Sequence, residues 1–533
     1  MTDRHSPGDA GDTPDFTQPG FSRAAFLKGA AGVVGLGAAG PLLGAAAARA
    51  ASAAKPVYGG TLAIAYPGAG TSETLNPTLG VTPIDESRLQ SLYDPLVLLN
   101  GDFTTSPGLA LEWTPNKTAT VWEIKLRQGV TFHNGKTFGA EDVIYSIRKM
   151  AGKTSAALPF VSNIKLGEMK ATNSSTLQIP LLSPDASLTE NFVYYNTWIV
   201  QNGETNYSKP VGTGPFKFES FTPGQQSVFV KNTNYWQHGK PYVDTLKILS
   251  VTDPTARLNA LLSGQIDGMA LLPYAQAKAH QSIGDINVLV GKAPQALVFY
   301  METTRPPFND NRVRLAMKLI ADRPALVADA ISGFGTVGND IAGKGLPFYD
   351  NALPQRTQDI AKAKALLKAA GHSNLTVTMQ ISNLIPGFVE SAQLFQQQAT
   401  AAGVNVKLQT VDASAYFNPS LTYLKMLFAE SQWPVQSLKF FYQQALASNA
   451  PYNETHWNNA AWNNLLTKAI GELDEKKAQT LWSQVQEIQY NEGGYLLWTN
   501  ADYVDALSKK VQGLRPAATG ILGNHSFLDA WKT

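Results

Sequence analysis

Histidine, carboxylate, hydroxyl and aromatic side chains are the groups of this chain that could do chemistry, because it has no cysteine. Disulfides, cysteine–metal sites and thiol catalysis are therefore excluded, and so is a lipoprotein anchor, which needs a cysteine after its signal. The seven histidines stand at no paired metal-ligand spacing, and His456 alone does not make a metal site. No G-x-S-x-G nucleophile elbow and no H-E-x-x-H zinc helix occurs. Gly212-Thr213-Gly214 is not followed by the Lys-Ser/Thr of a phosphate loop. Paired carboxylates for glycoside cleavage remain open, since sequence does not say which acids meet in space. Binding chemistry is plentiful: ten Trp and 19 Tyr supply stacking area with a polar handle, as ligand clefts use. No cofactor and no metal is expected.

Those residues sit in a chain long enough for two or more domains: 533 residues, 44% apolar and 16% charged. The net charge of +2 offers no electrostatic case for nucleic acid or an anionic membrane surface. Residues 1–20 are polar and rich in Gly, Pro and Asp. Ser22-Arg23-Ala24-Ala25-Phe26-Leu27-Lys28 then leads into a Gly/Ala-rich apolar run and the small residues Ala50-Ala51-Ser52-Ala53-Ala54. This reads as an export leader over 1–54. It resembles a twin-arginine signal with Ala24 where the second arginine belongs, so the general secretory route stays open. The run contains Pro41 and is weakly hydrophobic for a membrane span. The mature protein is expected to begin near Lys55, outside the cytoplasm.

Periodicity supplies the elements that must position a site. Trp122, Ile124 and Leu126 alternate with polar residues, a strand with one apolar face. Asn134-Gly135 predicts a tight turn, Gly139 an N-cap, and Val143, Ile147 and Met150 one helical face. His133, beside the turn, is expected to be a structural hydrogen-bonder. Asp359 begins a helix that Gly371 closes. A strand over 375–381, a helix over 388–402 and a strand from 404 follow, which predicts a parallel pair with a right-handed crossover.

The stretch Val121–Arg148 resembles the marker segment of the peptide/nickel-type, family 5 extracellular solute-binding proteins that serve ABC importers. The resemblance extends over most of residues 58–515. It is carried further by Tyr93-Asp94-Pro95-Leu96, Gly212-Thr-Gly-Pro215, Pro306-Pro-Phe-Asn-Asp310 with Val313-Arg314-Leu-Ala316, Asp359–Gly371 and the C-terminal helix. It implies an α/β protein with the type II periplasmic-binding-protein fold: two lobes joined by a hinge, plus an extra mixed α/β domain inserted in the first lobe. The expected division is 55–94, 208–292 and 500–533 for the first lobe, 95–207 for the extra domain and 293–499 for the second lobe.

The resemblance also implies where a ligand sits. Thr71, Ser72 and Glu73 lie in the loop after the first strand, which borders the ligand in such folds. Peptide binders of the family carry W-x-x-D-Y-P-D-P, whose first Asp pairs with the peptide ammonium. The matching stretch here is Glu430-Ser-Gln-Trp-Pro-Val-Gln-Ser437, which puts Gln432 at the anchor and Trp433 beside it as a stacking candidate. A neutral amide does not compensate a buried ammonium, so Glu430 is the alternative anchor, against a plain solvated loop charge. Glu302 replaces the usual Asn of N-T-x-x-P-P-F; it faces the cleft or pairs with Arg305 or Arg312. Tyr416, Trp457 and Trp498 are further stacking candidates, each of them also suited to a core.

The expected function is capture of a small polar solute (peptide-like, opine-like or oligosaccharide) for delivery to the membrane permease of an ABC importer, by a monomer that is not an enzyme and binds no nucleic acid. A secreted glycosidase or peptidase is the alternative from another class, and a signalling or chaperone-like receptor on the same fold is a third.

Overall fold

A computed structural model describes residues 55–68, 70–417 and 422–533. The leader over 1–54, with the expected signal and its Ala24 departure, lies outside the described residues.

The described residues build one eleven-stranded sheet and three smaller ones. In chain order the large sheet uses β1 (Thr61–Tyr66), β2 (Phe216–Thr222), β3 (Gln226–Lys231), β4 (Thr245–Ser250), β5 (Gly268–Met269), β6 (Asn287–Met301), β7 (Gly335–Val337), β8 (Thr376–Ile381), β9 (Asn405–Thr410), β10 (Phe428–Trp433) and β11 (Tyr495–Leu507). Their spatial order is β9-β8-β10-β6-β11-β5-β1-β4-β3-β2, with β7 alongside β11. β1 runs parallel to β4 and β5, and β8 parallel to β9.

Two long strands hold the halves of this sheet together. β6 has 15 residues and β11 has 13, every one of the latter buried. They pair antiparallel from Asn287↔Leu507 to Tyr300↔Tyr495, but the register shifts between Gly291 and Gln295, where β6 carries extra residues. Such a bulge bends the strand and breaks the ladder locally. On one side of it lie β1–β5; on the other lie β8–β10. Lys292 Nζ and Asp502 Oδ2, 2.6 Å apart, pair at the break. The C-terminal segment crosses over Gly291 so closely that a Cβ there would sit 2.1 Å from Ala517 O.

A separate body is built on the four-stranded sheet of Ala110–Pro115, Val121–Leu126, Thr176–Pro180 and Lys170–Asn173. Trp122, Ile124 and Leu126 are buried as the alternation requires, against Val143, Ile147 and Met150 of α1 (Ala140–Met150). Gly139 caps that helix, and Asp142 accepts from the Gly139 N–H.

The resemblance motifs converge on the joint between this body and β1–β5. Buried Asp94 accepts from Thr213 Oγ1 (2.8 Å), Tyr235 OH (2.8 Å) and Trp236 Nε1 (3.2 Å). His133 Nδ1 accepts from Gly212 N at 3.2 Å, and its Nε2 lies 3.0 Å from Gly214 O. Burial pushes the His133 pKa down to about 4, so the ring is neutral and structural. Gly212 is required by close approach, since a Cβ there would stand 1.8 Å from Leu92 O. These segments are scaffold.

Candidate functional site

The two halves of the large sheet and the smaller body meet along a seam centred on residues 436–440. Gln436 Nε2 donates to Thr519 O at 2.8 Å. Ser437 caps a short helix, α2 (Leu438–Phe441), by accepting from Phe440 N, which fixes the directions of the next side chains. Lys439 Nζ lies 2.9 and 2.7 Å from the Asp185 carboxylate oxygens and donates to Ser187 O at 3.1 Å. The Lys439 and Asp185 side chains are only 3% and 2% exposed. Phe440 stacks on Tyr194 and Phe160, with centroids 4.1 and 5.2 Å away, and joins the core of the smaller body. Ala186 N donates to Ile470 O at 2.9 Å. The half that carries β8–β10 is thus closed on the smaller body, and it meets the C-terminal segment of the other half at Gln436.

Several expected site residues are engaged within the protein. Glu73 is buried: its carboxylate holds Arg88 at 2.8 Å and accepts from Ser250 Oγ and Gly224 N, while its neighbours Thr71 and Ser72 are exposed. Glu430 lies in the buried strand β10 rather than in a loop. Its Oε1 accepts from Ser391 Oγ at 2.8 Å, its Oε2 has no partner, and burial pushes its pKa well above the carboxylate range. Burial disfavours its charged form, against the reading of a solvated loop charge or an ionised anchor. The Tyr416 hydroxyl lies 3.0 Å from Gln380 O and 2.9 Å from Glu430 O, and accepts from Glu430 N at 3.0 Å, tying β8 to β10.

Glu302 follows the outer end of β6, seven residues beyond the break. It accepts from Thr304 and pairs with Arg305, as the salt-bridge reading had it. Burial raises its pKa, but the Thr304 and Arg305 hydrogen bonds outweigh that and the net shift is downward. With His456, whose Nδ1 is 3.6 Å from Glu302 Oε1, it lines a cavity of about 350 Å³ at this outer end. A larger cavity of about 790 Å³ runs between residues 90–101, 193–242 and 513–531; no residue of 293–499 lines it. It lies beside the seam, not between the halves.

Gln432 and Trp433 do reach the crossing. Gln432 opposes Leu297, and its Oε1 accepts from Gln295 Nε2, next to the break. Trp433 opposes Ala296, which itself opposes Asn500. Trp433 Nε1 donates to Glu454 Oε1 at 3.1 Å, and Tyr495 OH donates to the same oxygen at 2.8 Å. Burial raises the Glu454 pKa to about 7, against the hydrogen bonds from Trp433 and Tyr495. Trp457 and Trp498 are core residues. Sequence reasoning missed Lys439, Glu454 and Asn500; the only signal was a charged or amide residue amid apolar neighbours, which does not tell a buried polar group from an exposed one. Among the described residues, no group of three or more His, Asp or Glu could hold a metal ion, and no helix is long and apolar enough to cross a membrane.

Residues 104–453 match the family described as bacterial extracellular solute-binding proteins, family 5 Middle. A glutathione-binding protein of Pectobacterium atrosepticum is 24% identical over 490 residues, covering 86% of this chain and 92% of the relative. The glutathione-binding protein of Escherichia coli K12 is 23% identical over 471 residues, with 83% and 89% covered. Among solved structures, the Helicobacter pylori periplasmic binding protein DppA in complex with the peptide STSA superposes with a TM-score of 0.78 at 23% identity, over 89% of this chain and 98% of that one. The agropinic acid complex of AgaA from Agrobacterium tumefaciens R10 does so with a TM-score of 0.78 at 22% identity, over 89% and 99%.

Proposed function

The chain belongs to the bacterial extracellular solute-binding proteins of family 5, and on that premise we propose that it captures a small polar solute between the two halves of its large sheet and presents it to the membrane permease of an ABC importer. The family is one of transport components rather than enzymes. The observation that carries this reading is the seam: two halves joined through a bulged pair of strands, which touch at Gln436 and Thr519, with the inserted body closed on the second half through Asp185 and Lys439. Hinge closure around a solute needs such a joint and such reversible contacts.

The proposed division is 55–94, 208–292 and 500–533 for one lobe, 95–207 for the extra domain and 293–499 for the other lobe. The register shift between Gly291 and Gln295 supports the crossing near 293. The proposed protein is an exported monomer that uses the 1–54 leader, by a twin-arginine-like or general secretory route, and acts outside the cytoplasm without nucleic acid.

The solute is proposed to be peptide-like, opine-like or an oligosaccharide. Relatives named for glutathione, and solved neighbours holding a peptide or an opine, support that range. Gln432, Trp433, Thr71 and Ser72 are the proposed contacts from the expected set. Glu73, Glu302, Tyr416 and Glu430 are proposed to shape the fold around them, since each is held by intramolecular partners. The hydrolase alternative would need two carboxylates flanking one bond. Glu430 points to the side of Ser391, while Glu454 lies on the opposite face of β10 with Trp433.

Native mass spectrometry of freshly purified protein tests the reading. A non-covalent small-molecule adduct that is lost on unfolding is expected. Turnover of chromogenic glycosides or peptide substrates would overturn it in favour of a hydrolase.

A further inference from the structure

Asn500 sits in β11, one residue beyond the pair Gln295↔Ala501 that ends the bulge. It is 2% exposed, and neither its Nδ2 nor its Oδ1 has a partner. A buried amide with both atoms unpaired is costly, about 1–3 kcal/mol for each lost bond, and native structures rarely leave one so. Its surroundings form a row across four strands. Thr336 of β7 opposes Asn500, Asn500 opposes Ala296 of β6, and Ala296 opposes Trp433 of β10. Residues directly opposite in antiparallel strands share a face. Asn500 and Trp433 therefore stand on one face, two strand spacings or about 10 Å apart, with Ala296 between them in the ladder. Trp433 has its ring nitrogen engaged by Glu454 and its ring packed beside Phe441 and Tyr452, which fixes the indole at the end of this row. Thr519 Oγ1, on the segment that Gln436 meets across the seam, is likewise buried and unpaired.

We propose that Asn500 is a specificity-determining residue that hydrogen-bonds a neutral amide of the solute over Ala296, between itself and Trp433. The inference rests on the solute-binding reading and deepens it. A carboxamide presents a donor and an acceptor side by side, which matches the N–H and C=O of one residue in an extended peptide-like chain. A lone ammonium offers only donors and a carboxylate only acceptors, so neither satisfies both atoms. In the closed protein without solute the amide is dehydrated and unpaired; the solute supplies the missing partners. Asn500 thereby favours closure on an amide-bearing solute over empty closure.

Asn500→Leu, which keeps roughly the volume and removes the polarity, separates this from a structural role. In protein stripped of solute by unfolding and refolding, the variant should melt within about 1 °C of the wild type, because the open form leaves the amide hydrated rather than bonded to the protein. A fall in Tm would show that Asn500 has structural partners and would overturn the proposal. Calorimetry then uses the tetrapeptide Ser-Thr-Ser-Ala, its N-acetylated C-terminal amide and glutathione as probes. Any probe that binds the wild type should bind Asn500→Leu, and the smaller Asn500→Ala, about 10- to 100-fold more weakly. Unchanged affinity in both variants overturns the assignment. If no amide-bearing probe binds the wild type, the assigned chemistry is wrong, whereas recovery of a co-purified solute by native mass spectrometry would leave the solute-binding reading standing.

Discussion

Removing the charge of Lys439 should shift the open–closed equilibrium far more than it disturbs folding. In the closed form Lys439 and Asp185 are almost fully buried, and Lys439 Nζ meets both carboxylate oxygens and Ser187 O. Asp185 otherwise accepts from Ser187 N at 2.9 Å and Ser187 Oγ at 3.4 Å. Lys439→Met keeps most of the stem and leaves the Asp185 carboxylate buried without a counter-charge. Breaking a buried pair in this way costs about 3–5 kcal/mol. When the half that carries Lys439 parts from the smaller body, the carboxylate regains water, so the cost falls on the closed form alone. At about 1.4 kcal/mol per decade, solute affinity should fall by roughly two to nearly four orders of magnitude. Asp185→Asn should weaken binding similarly. The double variant should recover most of the loss, since a neutral pair strands no charge. Titration calorimetry with the co-purified solute gives the affinities, and small-angle scattering in saturating solute reports closure through the radius of gyration. An unchanged affinity for Lys439→Met, or a double variant weaker than either single one, would refute the reasoning.

Glu454→Gln should change the pH dependence of stability. Because its folded-state pKa is raised to about 7, the folded protein holds a proton that the unfolded chain releases from about pH 4.5 upward. This contribution is fully present below pH 4.5, is lost as pH rises towards 7 and is flat above it, a change of about 3 kcal/mol; the Gln variant should lack that fall, visible as Tm against pH. Arg88→Met should cost about 3–5 kcal/mol by stranding buried Glu73, whereas Thr71→Ala and Ser72→Ala should stay within about 0.5 kcal/mol and act on solute affinity; chemical denaturation and calorimetry separate the two effects. Asp94→Ala should remove the shared acceptor of Thr213, Tyr235 and Trp236 and destabilise by several times about 1 kcal/mol with unchanged solute preference, as urea unfolding and calorimetry will read.

Where a feature depends on residues close in sequence, it was legible beforehand. The alternation of Trp122, Ile124 and Leu126, the Gly139 cap, the helix from Asp359 to Gly371 and the parallel pair β8–β9 all follow local rules and all stand in the structure. His133 was rightly read as structural. The limits lay in reach and burial. Tyr495–Thr499 has the apolar run of a strand, whereas Asn500, Asp502 and Asp505 break that pattern over the rest of β11, which nonetheless continues to Leu507. Its sequence neighbours allow Glu430 to be an anchor or a loop charge; a strand on each side and Ser391, 39 residues away, bury it and disfavour its charged form.

From its amino acids alone the chain resembles the family 5 solute-binding proteins, and its turns, caps and periodic apolar faces are legible because they are short-range properties. Which polar groups face a solute was decided only by the tertiary structure. Glu302 pairs three residues away, Lys439 finds its partner 254 residues away, and Asn500 is left with none. The physical reason is that a polar side chain's role is set by what surrounds it after burial. Those surroundings come from strands and loops that the chain brings together only when it folds.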